Sequence, residues 1–295
     1  MKTTELESQI ATISEARLDR RKFFRQAGYF GIGAAVSGLA LNSTPARAQA
    51  NSDQGKDTLA EVLTAFLIAE DLASTFYYNG LVGGVIQDVN LAGPGGSATH
   101  VSSQGNEGNV EYVRAALYQE IQHANLFREF LKEIDTSLTS DPYQTFYFPH
   151  GTFDTLASFL GILDALENAF IGAYLVLVQE FSTKAALAAT GKLTGPDAKY
   201  NAQWYELFAK NAAAVLGVES EHRVLGRVIG NENPANNLNY EQTDGLQSIY
   251  NGSHSAVVAL TPFLTSTTGP GFSLQTALSK AHTVWLQTKG GPILS

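Results

Sequence analysis

The stretch LGVESEHRVLGRVIG, residues 216–230, places two polar side chains on the apolar face of a helical pattern. Glu219 and His222 are three residues apart, so in a helix they lie one turn apart on nearly the same face. An earlier stretch, VRAALYQEIQHANLFREFL, repeats the arrangement with Glu120 and His123. A single Glu-x-x-His is a weak signal because it occurs by chance in many helices. Its repetition on a second apolar face indicates that the two pairs act together.

Four long segments without internal proline run through the chain. Apolar residues recur in each at a spacing near 3.5, and no segment sustains the alternation of a β-strand. The first connection is rich in Gly, Ser and Asn, the second has two prolines and a cluster of aromatics, and the third is a turn; the connections are long enough to permit a crossover. The sequence therefore predicts an all-α, four-helix bundle. The helices are expected at about 57–81, 110–135, 153–189 and 199–229, and the third could break near Gly161 or Gly172.

Each predicted helix carries one Glu in the middle of its apolar stripe. Burying an ionised carboxylate alone costs several kcal/mol, and four together also repel one another unless cations neutralise them. The chain has no Cys, so a metal would be held by carboxylates and imidazoles, a donor set that suits iron or manganese. The sequence predicts a dinuclear metal site with the ligands Glu70, Glu120, His123, Glu167, Glu219 and His222.

Five side chains near these ligands carry subsidiary expectations. Tyr77 and Tyr174 are expected to be core aromatics rather than redox relays. Asp71 and Glu221, beside predicted ligands, are expected to be solvated. Asp164 precedes Glu167 by one helical turn and could contact a ligand or lie on the surface.

Length and net charge limit the number of domains and the kinds of partner. The chain has 295 residues and a formal charge of −9, enough for one large domain or two small ones. The acidic balance argues against a nucleic-acid partner, which would need a basic surface. We expect the bundle within residues 51–230, and a C-terminal extension, residues 231–295, to form short helices that pack on it.

The first fifty residues are interpreted as an export signal. Arg20 and Arg21 precede an apolar stretch of about fourteen residues, too short to span a bilayer, and ARAQA supplies small residues for cleavage. The segment resembles the twin-arginine (Tat) signal Ser-Arg-Arg-x-Phe-Leu-Lys, with Asp19, Phe24 and Arg25 as departures. The alternative is an amphipathic helix with a chance Arg pair. The resemblance implies export of a folded protein by the Tat translocon to the periplasm or the extracellular space.

The bundle resembles the ferritin-like superfamily, in particular the ferritin-like domain of plant desiccation-related proteins and their bacterial relatives. The resemblance covers roughly residues 57–230, and three stretches carry it: AEDLASTFYYNGL, FPHGTFDTLASFLGILDALENAFIGAYL and VLGVESEH, which matches an ILxxExxH pattern. Ala73 departs from it, since many relatives have a second Glu there. The resemblance implies two iron ions at the six predicted ligands, with two manganese ions as the alternative.

Three classes of function follow from these patterns. The first is an exported oxidoreductase that uses two metal ions and a small oxidant, acting on oxygen, peroxide or ferrous iron. The second is a metal-binding or storage protein without turnover. The third is a structural protein that protects against stress or desiccation. A second copy of the chain, in a homo-oligomer, is a further candidate partner.

The export signal can be tested by replacing Arg20 and Arg21 together with Lys. The Tat translocon requires the arginine pair, so the double variant should remain as a precursor in the cytoplasm, measured by fractionation and immunoblotting. Normal export of the variant would assign the segment to the general secretory route.

Overall fold

The computed structural model describes residues 58–135, 137–138, 140–232 and 256–284; the predicted signal, residues 1–50, lies outside them. The described chain is predominantly helical, which confirms the all-α bundle. Its four long helices are α1 (Leu59–Val82), α2 (Glu107–Ile134), α3 (Leu156–Ala189) and α4 (Ala202–Ile229). The shorter elements are β1 (Thr145–Tyr147), α5 (Ala256–Leu260), β2 (Gly271–Ser273) and α6 (Leu274–Val284), with 3₁₀ turns at Gly84–Gln87, Pro196–Lys199 and Thr261–Leu264.

Side-chain caps set where the long helices begin. Thr58 and Glu61 form a capping box at α1, in which each side chain accepts a hydrogen bond from the other residue's backbone N–H. Asn106, Thr155 and Asn201 cap the other three, each accepting from the backbone N–H three residues later. These caps explain why the starts differ by two or three residues from those expected from apolar periodicity.

Helix α3 runs unbroken through Gly161 and Gly172, so the alternative of a break at either glycine is not realised. A glycine inside a helix costs about 0.5–1 kcal/mol relative to alanine, which is small beside the burial of the apolar side chains around it. By length and composition α3 could cross a membrane, but 67% of its most apolar window is buried inside the protein. That degree of burial is typical of the central helix of a bundle.

The bundle consists of two helix pairs. Helix α1 packs most extensively on α2, and α3 on α4. Aromatic side chains join the pairs: Phe76 of α1 and Phe159 of α3 stack with ring centroids 4.6 Å apart and planes 2° from parallel. The connection between α2 and α3 contains β1 and carries the chain from one pair to the other.

The described part of the C-terminal extension lies against the bundle. Strand β2 pairs antiparallel with β1, with Phe272 opposite Phe146. Phe272 also contacts Phe148 and Phe153, at centroid distances of 5.7 and 5.0 Å. Helix α6 packs on α1 and α2, and α5 packs on α3. The extension therefore covers outer faces of the long helices.

The contact between α1 and α3 depends on Gly80. A Cβ there would lie 2.4 Å from Cε2 of Phe159, whose ring is held against Phe76. Gly80→Ala should therefore lower the free energy of unfolding by about 1–3 kcal/mol, measured by urea titration after chelation. Gly217→Ala on α4 is the control, because nothing lies within 4 Å of its added Cβ. It should raise stability by up to about 1 kcal/mol; equal stability of the two variants would contradict the close contact.

Candidate metal centre

All six predicted ligands meet in the middle of the bundle. Helices α1 and α3 each supply one Glu, while α2 and α4 each supply a Glu and the His one turn later. The four glutamates and one of the histidines are 0–1% exposed, and the other histidine, His123, is 8% exposed. The members are Glu70 from α1, Glu120 and His123 from α2, Glu167 from α3, and Glu219 and His222 from α4.

His123 faces three of the carboxylates through its Nδ1 atom. This atom lies 3.0 Å from Oε1 of Glu219, 3.4 Å from Oε2 of Glu70 and 3.6 Å from Oε2 of Glu120. None of these contacts is a hydrogen bond. The four side chains therefore point toward a shared centre rather than at one another.

His222 makes the corresponding arrangement on the other side. Its Nδ1 atom lies 2.8 Å from Oε1 of Glu120, 3.6 Å from Oε2 of Glu219 and 3.9 Å from Oε1 of Glu167. Here too Nδ1 makes no hydrogen bond despite the short distances. A second shared centre lies beside the first.

Glu120 and Glu219 belong to both centres. Each turns one carboxylate oxygen toward His123 and the other toward His222. Glu70 contributes only to the first centre and Glu167 only to the second, and in each group the candidate ligand atoms lie within 4.8 Å of one another. Glu120 and Glu219 would therefore be shared by a pair of cations, and each cation would also have one further Glu and one His to itself.

The hydrogen-bonding state of these groups tests whether cations fit. Leaving a buried polar atom unpaired costs about 1–3 kcal/mol, so such atoms are rare without a ligand. Six carboxylate oxygens and two imidazole nitrogens make a donor set that suits a pair of divalent iron or manganese ions. Within the centre, the unpaired buried atoms are Oε2 of Glu70, both oxygens of Glu120, Oε2 of Glu167, both oxygens of Glu219, and Nδ1 of His123 and of His222.

Two tyrosines hold the terminal carboxylates across the bundle. Tyr77 of α1 donates to Oε1 of Glu167 on α3 at 2.5 Å, and Tyr174 of α3 donates to Glu70 on α1. Burial, together with the charges of Glu167 and Glu70, raises the pKa of both phenols well above their usual value, so they remain protonated donors. The prediction that both are core aromatics is confirmed by their burial, but it missed their hydroxyl contacts.

Further polar contacts surround the ligands. Nε2 of His222 donates to Oε1 of Gln119 at 2.8 Å, which leaves Nδ1 as the nitrogen available to a cation. Asp164 pairs with Arg227 on α4, with Nη2 and Oδ1 3.1 Å apart, and Asn168 accepts from Arg223 at 3.0 Å. Asp164 is therefore a partner of α4 rather than of a ligand.

The expectation that Asp71 is solvated is wrong. Its carboxylate is 1% exposed and accepts a hydrogen bond from Arg128 of α2, which also binds Asp141 in the following connection. Burial raises the pKa of Asp71 to about 8, against the lowering effect of Arg128. Asp71 therefore joins α1 to α2 directly beside the ligand Glu70. Glu221 is exposed as expected.

The carboxylates and histidines shift one another's proton affinity. Burial, reinforced by the charge of Glu219, raises the pKa of Glu70 and of Glu167 well above its ordinary value. Burial would lower the pKa of His222, but the charge of Glu120 raises it well above the usual value. His123 is shifted upward in the same way by its three carboxylates. For Glu120, burial favours a raised pKa, but attraction by His222 outweighs it and the pKa is lowered.

Comparison with known proteins identifies the family. Residues 58–210, slightly more than half of the chain, match the model of the ferritin-like domain family, and the chain belongs to this family. The match includes four of the six clustered residues and ends before Glu219 and His222, which the structure places in the same centre. No curated protein and no solved structure matches the chain.

The hydroxyl contacts of Tyr77 and Tyr174, and the contacts of Gln119 and Arg128, were not predicted from the sequence. The tyrosines had a detectable signal, because each follows its helix's Glu by seven residues and so lies on the same face. Gln119 and Arg128 had none, since nothing in the local pattern distinguishes them from other polar residues on α2.

The raised pKa values of the two histidines predict that cation binding releases protons. The raised pKa values of His123 and His222 mean that both imidazoles are protonated near pH 7, and each must lose a proton to bind a metal through Nδ1. Loading with Mn(II) should release about two protons or more per chain, and the apparent affinity should weaken as the pH falls. Calorimetric titration in two buffers of different ionisation enthalpy measures the number. Binding with no proton release would contradict the assignment of the two histidines.

Proposed function

We propose that the protein holds two divalent ions, iron or manganese, and acts as an oxidoreductase on oxygen, peroxide or ferrous iron. The proposal rests on the orientation of two carboxylates. Glu120 and Glu219 each present one oxygen to His123 and the other to His222. A site for one ion has no need of shared carboxylates, whereas a pair of adjacent ions does.

The chain's own residues prepare this site in three ways. The four carboxylates offset the charge of two divalent ions, and the histidines provide neutral nitrogen donors once deprotonated. The hydroxyls of Tyr77 and Tyr174 occupy one oxygen of each terminal Glu and leave the other free. The near-complete burial of the four glutamates and of His222 keeps bulk water away from most of the centre. A bound pair of redox-active ions would supply the electron transfer that amino-acid side chains cannot.

The exported location and the subgroup are also proposals. The Arg20–Arg21 pair and the following apolar stretch support export through the Tat translocon, to the periplasm or beyond. That route carries folded proteins, so the bundle could be exported already loaded with metal. The stretches at 69–81 and 148–175 support a place near the desiccation-related proteins within the ferritin-like family.

The near closure of the centre favours one other function. A site whose glutamates are at most 1% exposed is suited to retaining ions, so a metal-binding protein without turnover, protective under stress or desiccation, is the second candidate. Turnover measurements on the metal-loaded protein separate the two.

The proposal predicts the effect of Glu219→Gln, with Glu221→Gln as the matched control two residues away on the exposed face of α4. Elemental analysis should find about two iron or manganese ions per chain in the wild type and in the control, and fewer in Glu219→Gln. The wild type and the control should consume ferrous iron with oxygen, or peroxide, faster than Glu219→Gln does. Full metal content without turnover would favour the second candidate, and absence of metal from the wild type would refute both.

Thermal melts of the same proteins, with and without metal, measure how the stability difference between wild type and variant depends on the metal. Only a metal site makes this difference depend on the metal. With metal, the wild type should gain about 2.7 kcal/mol for each bound ion at a free-ion concentration of 100 times Kd, and Glu219→Gln should lose most of this gain. After chelation, Glu219→Gln should cost less stability than it does with metal, because relief of repulsion among the four carboxylates offsets part of the lost attraction to His123 and His222. Glu221→Gln should change stability by less than about 0.5 kcal/mol in both conditions.

A further inference from the structure

The sequence makes the two halves of the centre look alike. Each half consists of a helix with a Glu and a Tyr seven residues later, followed by a helix with Glu-x-x-His. The terminal carboxylates preserve this likeness, since each has one oxygen bound by the tyrosine of the opposite half. On the carboxylate side, therefore, the two cation positions have matched surroundings.

The histidine side differs between the halves. His222 is 1% exposed, its Nε2 is hydrogen-bonded to Gln119, and its ring packs edge-on against Tyr77 with centroids 5.7 Å apart. His123 is 8% exposed, and no side chain among the described residues hydrogen-bonds its Nε2. One imidazole is fixed and enclosed, while the other reaches solvent.

We infer that the two cation positions are inequivalent, and this inference rests on the proposed function. The closed position, formed by His222, Glu167 and the shared glutamates, retains its ion. The open position, formed by His123, Glu70 and the same shared glutamates, exchanges its ion and is where a small oxidant reaches the centre.

The physical reason lies in how each histidine is held. A hydrogen bond to the outer nitrogen fixes the ring orientation and makes the metal-binding nitrogen more basic, and its loss typically weakens metal binding 10- to 100-fold. For an ion to leave the closed position, the His222 ring must break its hydrogen bond to Gln119 and lose its ring contact with Tyr77. At the open position, water can approach beside His123 without disrupting a described hydrogen bond.

The test measures ion release from the full-length protein loaded with Mn(II). After addition of excess chelator, release should occur in two phases of equal amplitude, the faster at least about tenfold faster than the slower. Electron paramagnetic resonance of the half-released protein should show isolated Mn(II) instead of a coupled pair. A single phase that releases both ions together would overturn the inference. Binding of fewer than two ions by the wild type would instead refute the proposed function.

Two matched variants on α2 identify which position is slow. Gln119→Leu removes the acceptor for His222 at nearly constant size, while Gln122→Leu makes the same change one turn later. Gln119→Leu should accelerate the slow phase about 10- to 100-fold and leave the fast phase unchanged. Gln122→Leu should alter neither phase. A slow phase that is insensitive to Gln119→Leu would overturn the assignment of the closed position.

Removal of each histidine gives an independent check. His123→Ala should abolish the fast phase and keep one slowly released Mn(II), whereas His222→Ala should abolish the slow phase. The reverse pattern would show that the open and closed positions are exchanged, contrary to the inference.

Discussion

Four carboxylates placed in the interior of a helical bundle impose the main constraint on this protein. Two unit charges 4 Å apart repel by about 4 kcal/mol at an effective dielectric constant of 20, and each buried charge also loses its hydration. Every long helix contributes one of these groups, so a shift of any one helix changes the distances between the charges in the centre. Protons or cations must therefore accompany the four glutamates, and the unpaired oxygens facing one another favour cations.

The residues around the centre hold its carboxylates and the helices that carry them in position. The two phenols are held protonated by burial and by the carboxylates themselves, so they act as neutral donors and do not add charge. Arg128 and Arg227 pair with Asp71 and Asp164 respectively, which ties together the helices that carry the ligands. The aromatic contact between Phe76 and Phe159 joins the two helix pairs. Ligand position is thus maintained by polar and apolar contacts that do not occupy the atoms facing the centre.

The resemblance between the two halves and the difference between their histidines have separate origins. The likeness follows from the repeated order of Glu and Glu-x-x-His along the chain. The difference arises from Gln119, which lies on α2 but contacts His222 on α4. In the proposed function, this asymmetry would allow one ion to be retained while the other exchanges, as a site that reacts with a small molecule without losing its metal would require.

The sequence by itself determined the four helices and the six residues that meet between them. Periodicity is a local property, and a Glu on an apolar stripe signals a compensating partner wherever the helix packs. Only the tertiary structure decided that α3 runs unbroken, that Asp71 is buried, and that each tyrosine contacts the opposite half. It also decided which oxygen of Glu120 faces which histidine. These features depend on the rotation and relative shift of neighbouring helices, which many weak side-chain contacts determine together and which no local pattern encodes.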